Sequence, residues 1–144
     1  MGRTTLENVP GWAVSLLLES QVGRLGLVDD HGAPRVLPVT FVLVSGSLWS
    51  AVDNKPKRAA EPARVRWLRA RPSAALTVDR YDDDWTRLCW VQVLGRVEVL
   101  DIGAGGDALE ALAAKYPQYR ADAPPGPLFC LEPERVLHWS AAEG

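Results

Sequence analysis

Two cysteines, two histidines and one methionine are all that 144 residues contain of these types. Cys89 and Cys130 lie far apart in apolar stretches, with no Cys-x-x-Cys or Cys/His ligand spacing. Both are therefore expected as buried free thiols, and no metal site is expected. His31 falls in a turn-like stretch and His138 near the end, both isolated, and no Ser/His/Asp or Cys/His nucleophile arrangement stands out. No apolar run approaches the about 20 residues that a membrane helix needs. The opening "MGRTTLENVPGW" has no hydrophobic signal core. Leu6 stands where the myristoylation pattern requires Ser or Thr. The expectation is a cytoplasmic protein with no membrane partner. Positive charge is not in excess either: the formal net charge is -2, and no recognition motif appears, which weighs against a nucleic-acid partner.

What is present fits one globular domain over residues 1–144. Hydrophobic residues make up 47% and charged residues 24%, enough to build a core and solvate its surface. Six tryptophans are many for this length and suit a core, an interface or a flat ligand. "ENVPGWAVSLLLESQ" reads as a helix capped by Asn8, with Val14, Leu17 and Leu18 on its apolar face. "GRLGLVDD" alternates as a strand, with Leu25 and Leu27 inward, and "DDHGAP" is a turn. "RVLPVTFVLV" reads as one strand, whose Pro38 marks an edge, bulge or contact surface. "SGS" is a hairpin turn into the strand "LWSAVD". "EPARVRWLRARP" is a helix burying Val65 and Leu68, stopped at Arg71–Pro72. Two strands follow, "AALTVDRY" and "LCWVQVLGRVEVL", the second with a bulge or bend expected at Gly95. "GDALEALAAKYP" is a helix, "PQYRADAPPGP" a loop, and "LFCLEPERVLHWSA" one or two final strands. Hairpin-length turns make most pairing antiparallel. The class is mainly β with peripheral helices, a small closed or split barrel.

"VEVLDIGAGGDALEAL" imitates the strand, Gly-rich turn and helix of nucleotide-binding α/β folds. Fewer than 40 residues follow Gly106, and the strands before it are joined by tight turns that parallel strands cannot use. The segment is read as a flexible strand-to-helix connection.

Charge is nonetheless concentrated. "AVDNKPKRAAEPARVRWLRARP" holds Lys55, Lys57, Arg58, Arg64, Arg66, Arg69 and Arg71, seven of 16 basic residues. In an extended "KPK" segment Lys55 and Lys57 share a side, Pro56 fixes the backbone between them, and a helix N-terminus follows, so the pair suits an anion such as phosphate. Arg66, Arg69 and Arg71 are expected mainly as a solvated face.

The segments "RLGLVDDHGAPRVLPVTFVL", "LWSAVDNKPK", "VDRYDDDW", "VQVLGRVEVL", "KYPQY" and "HWSA" together resemble the pyridoxamine 5′-phosphate oxidase-like proteins. The sequence is most similar to their actinobacterial branch dependent on the deazaflavin coenzyme F420. The likeness runs from about Val22 to Ala141, and "AVDNKPK" with "YDDDW" and "KYPQYR" carries most of its specificity. It implies a six-stranded antiparallel split β-barrel of the FMN-binding-protein type, assembled as a homodimer with two cofactor sites at the subunit interface. Leu37, Pro38, Val39 and Thr40 of "LPVTF" would lie along the cofactor ring, with Ser50 and Ala51 beneath it. Lys55 and Lys57 would hold the cofactor phosphate, helped by Arg58, and Trp85 would reach across from the partner subunit. Trp90 is better read as packing. "KPK" replaces the arginine-plus-lysine pattern of the true oxidases, which weighs against FMN and pyridoxamine phosphate chemistry. The implied function is an F420-dependent oxidoreductase that passes a hydride to a flat, conjugated small molecule. The alternatives are an FMN enzyme of the same fold and a non-catalytic protein that stores F420. The proton donor stays open between Tyr81, His138 and water.

Overall fold

The structure, a computed structural model, describes residues 6–52 and 61–143. Lys55, Lys57 and Arg58 lie outside the described residues. Seven strands, β1 (Gly23–Val28), β2 (Pro34–Val39), β3 (Val42–Val44), β4 (Ser47–Ala51), β5 (Ser73–Arg80), β6 (Cys89–Leu100) and β7 (Leu128–Ser140), form one sheet. Four helices accompany it: α1 (Gly11–Glu19), α2 (Ala63–Ala70), α3 (Asp107–Lys115) and α4 (Pro117–Ala121). The strand order is β2-β1-β5-β6-β7-β4-β3, and every pairing is antiparallel. The sheet curls into a half-barrel. None of the described helices is long and apolar enough to cross a membrane.

One feature of the order fixes the shape. β2 and β3 are the two edges of the sheet, yet only Thr40 and Phe41 separate them in sequence. Consecutive Cα atoms are 3.8 Å apart, so the sheet must curl until its edges almost meet. The barrel is split at Thr40–Phe41. The run "RVLPVTFVLV" is therefore two strands rather than one, and the sheet has seven strands rather than six. The apolar pattern runs through the break because Phe41 remains core, with no exposed surface.

Other elements follow local chemistry. Leu25 and Leu27 of β1 are buried as the alternation requires. Ser45 and Gly46 both take positive φ, 53° and 83°, in the two-residue turn from β3 to β4. The β6–β7 register slips between Leu94 and Gly95, and only glycine fits there, since a Cβ at Gly95 would overlap the Glu132 carbonyl oxygen. α1 starts after Pro10 rather than Asn8, which lies in a separate helical turn, Leu6–Asn8. Its buried face is Ala13, Leu16 and Leu17, whereas Leu18 is 53% exposed. Pro117, at a first helical position, starts α4 where a loop is expected from composition. Cys89 and Cys130 are buried free thiols, and burial pushes Cys130 up to about 11.

The main core lies inside the curl, from Leu17 and Leu25 through Val65, Leu68, Val91 and Val93 to Phe129. A second cluster joins α3 and α4 to β3, β4 and β7 through Leu112, Tyr116, Tyr119, Val42, Ala51 and Leu128. It seats the "KYPQY" segment directly behind the split.

Candidate functional site at the split of the barrel

A chain crossing between sheet edges leaves the ladder, so its polar backbone groups need other partners. Ser50 Oγ donates to the Thr40 carbonyl at 2.6 Å. The Phe41 N–H donates to Tyr116 Oη at 3.1 Å, and Lys115 Nζ donates to the Phe41 carbonyl at 3.0 Å. Thr40 Oγ1 and Tyr119 Oη are hydrogen-bonded at 2.8 Å. Lys115 also stands 4.1 Å above the Phe41 ring centre, and burial pulls its ammonium down to about 8. Two consecutive residues are thus held by four side chains, from β4, α3, α4 and Tyr116 at the junction of the two helices.

Against this bridge lies a cavity of about 210 Å³ lined by Val22, Pro38, Val39, Thr40, Ser50, Ala51 and Arg64. Of the residues expected at a site, Pro38, Val39, Thr40, Ser50 and Ala51 come together here. Leu37 does not join them; it packs against the main core. Trp85 is 67% exposed, and its indole N–H stands 3.4 Å from the Tyr81 hydroxyl. His138 meets the edge of Trp12, ring centres 5.9 Å apart. Trp90 stands opposite Trp139 on the neighbouring strand.

Arg64 has no assigned role in the sequence reading beyond its place in the basic cluster. Val65 and Leu68 are fully buried and set the rotation of α2, and Arg64 is turned to the cavity. Its Nε is buried without a hydrogen-bond partner among the described residues. The neighbouring arginines are occupied: Arg66 pairs with Asp30 at 2.8 Å, Arg69 with Glu61 at 3.3 Å, and Arg71 donates to the Asp29 carbonyl at 3.0 Å. Arg66 and Arg69 remain largely exposed, as expected, with acidic partners. Among the described residues no carboxylate lines the cavity. A buried guanidinium donor left open costs about 1–3 kcal/mol or more, and an oxyanion would satisfy it through a fork of N–H donors.

Two larger open grooves, about 490 and 530 Å³, flank the turn at Ser45–Ser47. Glu132 lines both, joined by Glu7 in one and Asp107 in the other. Volume favours these grooves, but their carboxylates repel an anion, so chemistry selects the smaller cavity beside Arg64. Among the described residues no cluster of His, Cys, Asp and Glu could hold a metal ion.

Sequence alone could not single out Arg64, Lys115, Tyr116 and Tyr119 as neighbours of one cavity. "KYPQY" stands out as a motif, but its contacts with residues 21, 40 and 41 span 75 residues or more.

The family described as Pyridoxamine 5'-phosphate oxidase matches residues 12–140. No curated protein matches the chain. Among solved structures, a conserved hypothetical protein of Mycobacterium tuberculosis superposes with TM-score 0.76 at 14% identity, over 94% of this chain and 87% of that one. A FAD-binding protein of Mesorhizobium loti gives TM-score 0.70 at 23% identity, over 96% and 97%. A structure described as an F420 reductase gives 0.64 at 22% identity, over 90% and 98%. At these identities the likeness is one of fold.

Proposed function

The chain belongs to the pyridoxamine 5'-phosphate oxidase family, and from that premise we propose that it binds a flavin-type cofactor at the split of the barrel and works as an oxidoreductase. The observation that carries this is the cavity at Thr40, Ser50 and Arg64: among the described residues, an apolar and hydroxyl wall, a guanidinium donor left open and no carboxylate. Those residues fit an anionic, ring-bearing cofactor. Such a cofactor supplies the hydride chemistry, and the protein supplies binding, orientation and shielding from water.

Coenzyme F420 is the cofactor we favour, on the strength of "KPK" in place of an arginine-plus-lysine pair, with FMN as the alternative. In this reading Pro38, Val39 and Thr40 bound the ring with Ser50 and Ala51, and Lys55, Lys57 and Arg58 hold the phosphate. The acceptor is a flat, conjugated small molecule. Absorption titrations of the protein with F420 and with FMN test the cofactor, followed by hydride-transfer assays on conjugated acceptors. F420 binding weakened ten- to a hundredfold by Lys57→Ala supports the reading, since charged hydrogen bonds contribute ~1.5–3 kcal/mol. Tight FMN binding with no response to F420 selects the alternative. Binding without turnover would make this a storage protein, and no binding of either sinks the proposal.

A homodimer completes the site in this reading. The cavity of about 210 Å³ is below the about 300–1,000 Å³ usual for a small-molecule pocket. The register places Trp90 beside Trp139, Leu137 opposite Gln92, and Val36 and Ala75 opposite Gly26, all on one sheet face. Val36 is 67% exposed, Trp139 41% and Trp90 36%. A second copy is the occupant we assign to this face, which runs to the cavity through Pro38. Sedimentation showing only monomer at micromolar concentration would remove the dimer and with it the completed site.

A further inference from the structure

The Tyr116 hydroxyl bonds to the chain beside two cavity residues, Thr40 and Val22, just past the last β1–β2 pair, Gly23 and Val39. On one side it accepts from the Phe41 N–H at 3.1 Å, next to the cavity residue Thr40. On the other it lies 2.9 Å from the carbonyl of Gln21, next to the cavity residue Val22. Tyr116 is 6% exposed and packs in the second core cluster, so it is held from behind by α3 and α4.

A hydroxyl has one proton to give. Two carbonyls compete for it: Gln21 O at 2.9 Å and Phe41 O at 3.1 Å. Lys115 Nζ already donates to Phe41 O at 3.0 Å. The Phe41 carbonyl keeps a second lone pair, but with Lys115 already drawing on it, it is the poorer acceptor, and the Gln21 contact is the shorter. Lys115 thus biases the Tyr116 hydroxyl toward Gln21 and away from the bridge.

We infer that Tyr116 is a positioning residue that clamps the Val22 side of the cavity to the Thr40–Phe41 bridge, and that Lys115 sets the direction of the clamp. It fixes the spacing of the walls without itself lining the cavity, so its loss loosens the ligand rather than removing a contact to it. The inference rests on the cavity being the ligand site proposed above.

The test compares Tyr116→Phe and Lys115→Met with Leu112→Ala. Leu112 is fully buried in the same cluster and touches neither segment through a hydrogen bond. Amide exchange is measured on the cofactor-free proteins, with urea unfolding to match global stability. Tyr116→Phe should speed exchange about tenfold or more in residues 21–24 and 39–42 together, beyond the change in Leu112→Ala. Lys115→Met should fall between. With FMN or F420, Tyr116→Phe should raise the dissociation rate about tenfold and Leu112→Ala much less. Equal effects of Tyr116→Phe and Leu112→Ala, or loosening of residues 39–42 alone, would overturn the clamp. If the wild-type protein binds neither cofactor, the proposed function fails, and the exchange comparison still decides the clamp.

Discussion

Tyr119 and Thr40 are 79 residues apart and share a hydrogen bond of 2.8 Å between their hydroxyls. Thr40 lines the cavity, and Tyr119, 9% exposed, lies in the cluster beneath. The bond fixes the rotor of the one threonine hydroxyl at the cavity wall. Tyr119→Phe should cost about 0.5–1.5 kcal/mol of stability, the net value of a hydrogen bond. Cofactor affinity should fall severalfold. Chemical denaturation and a binding titration on the same preparation check this, and an unchanged affinity would show that the Thr40 hydroxyl is not used in binding.

Arg64 should show opposite effects on stability and binding. Its Nε is buried without an acceptor among the described residues, so Arg64→Met removes an unsatisfied donor while keeping an apolar stem of similar length. The unfolding midpoint without ligand should hold or rise. Affinity for FMN or F420 should drop about tenfold or more, and affinity for neutral riboflavin should change less. A loss of stability in the ligand-free variant would mean that Arg64 is structural.

Lys115 gives a pH signature. Burial lowers its ammonium from 10.5 to about 8. Between those values the unfolded chain holds a proton that the folded chain has released, so this group makes stability rise as pH climbs from about 8 to 10.5. Below about 8 it is protonated in both states and the cost of burying the charge is fully present. Urea unfolding across that window should show wild-type stability gaining on Lys115→Met as pH rises. Parallel pH profiles would show the ammonium to be well solvated.

Gly95→Ala should be among the most damaging single changes. The added Cβ would overlap the Glu132 carbonyl oxygen and approach Pro133 Cα at 3.2 Å, both backbone atoms that cannot swing away. The bulge between β6 and β7 would have to open, at a cost of several kcal/mol on the scale of overpacked or strained sites. A drop in the thermal midpoint of under about 2 °C would show that the register can shift to accept it.

The sequence by itself determined most of the elements and the positions of the inward residues. Alternation placed Leu25 and Leu27, helical spacing placed Val65 and Leu68, and Gly95 announced its bulge, because period and backbone freedom are local properties. It also determined which stretches carry charge. Local pattern could not show that "RVLPVTFVLV" breaks at Thr40, since Phe41 is as apolar as any strand residue and the break arises only when the curling sheet brings its edges together. The same closure decided the site. Arg64 is one of seven basic residues in its stretch of sequence, and only the rotation of α2 on its buried Val65 and Leu68 turned it to the cavity and left its neighbours to Asp30, Glu61 and the Asp29 carbonyl. Tyr116 and Tyr119 reach Phe41 and Thr40 across about half the chain, a distance that hydrophobic packing of α3 and α4 behind the split removes and that no local periodicity encodes.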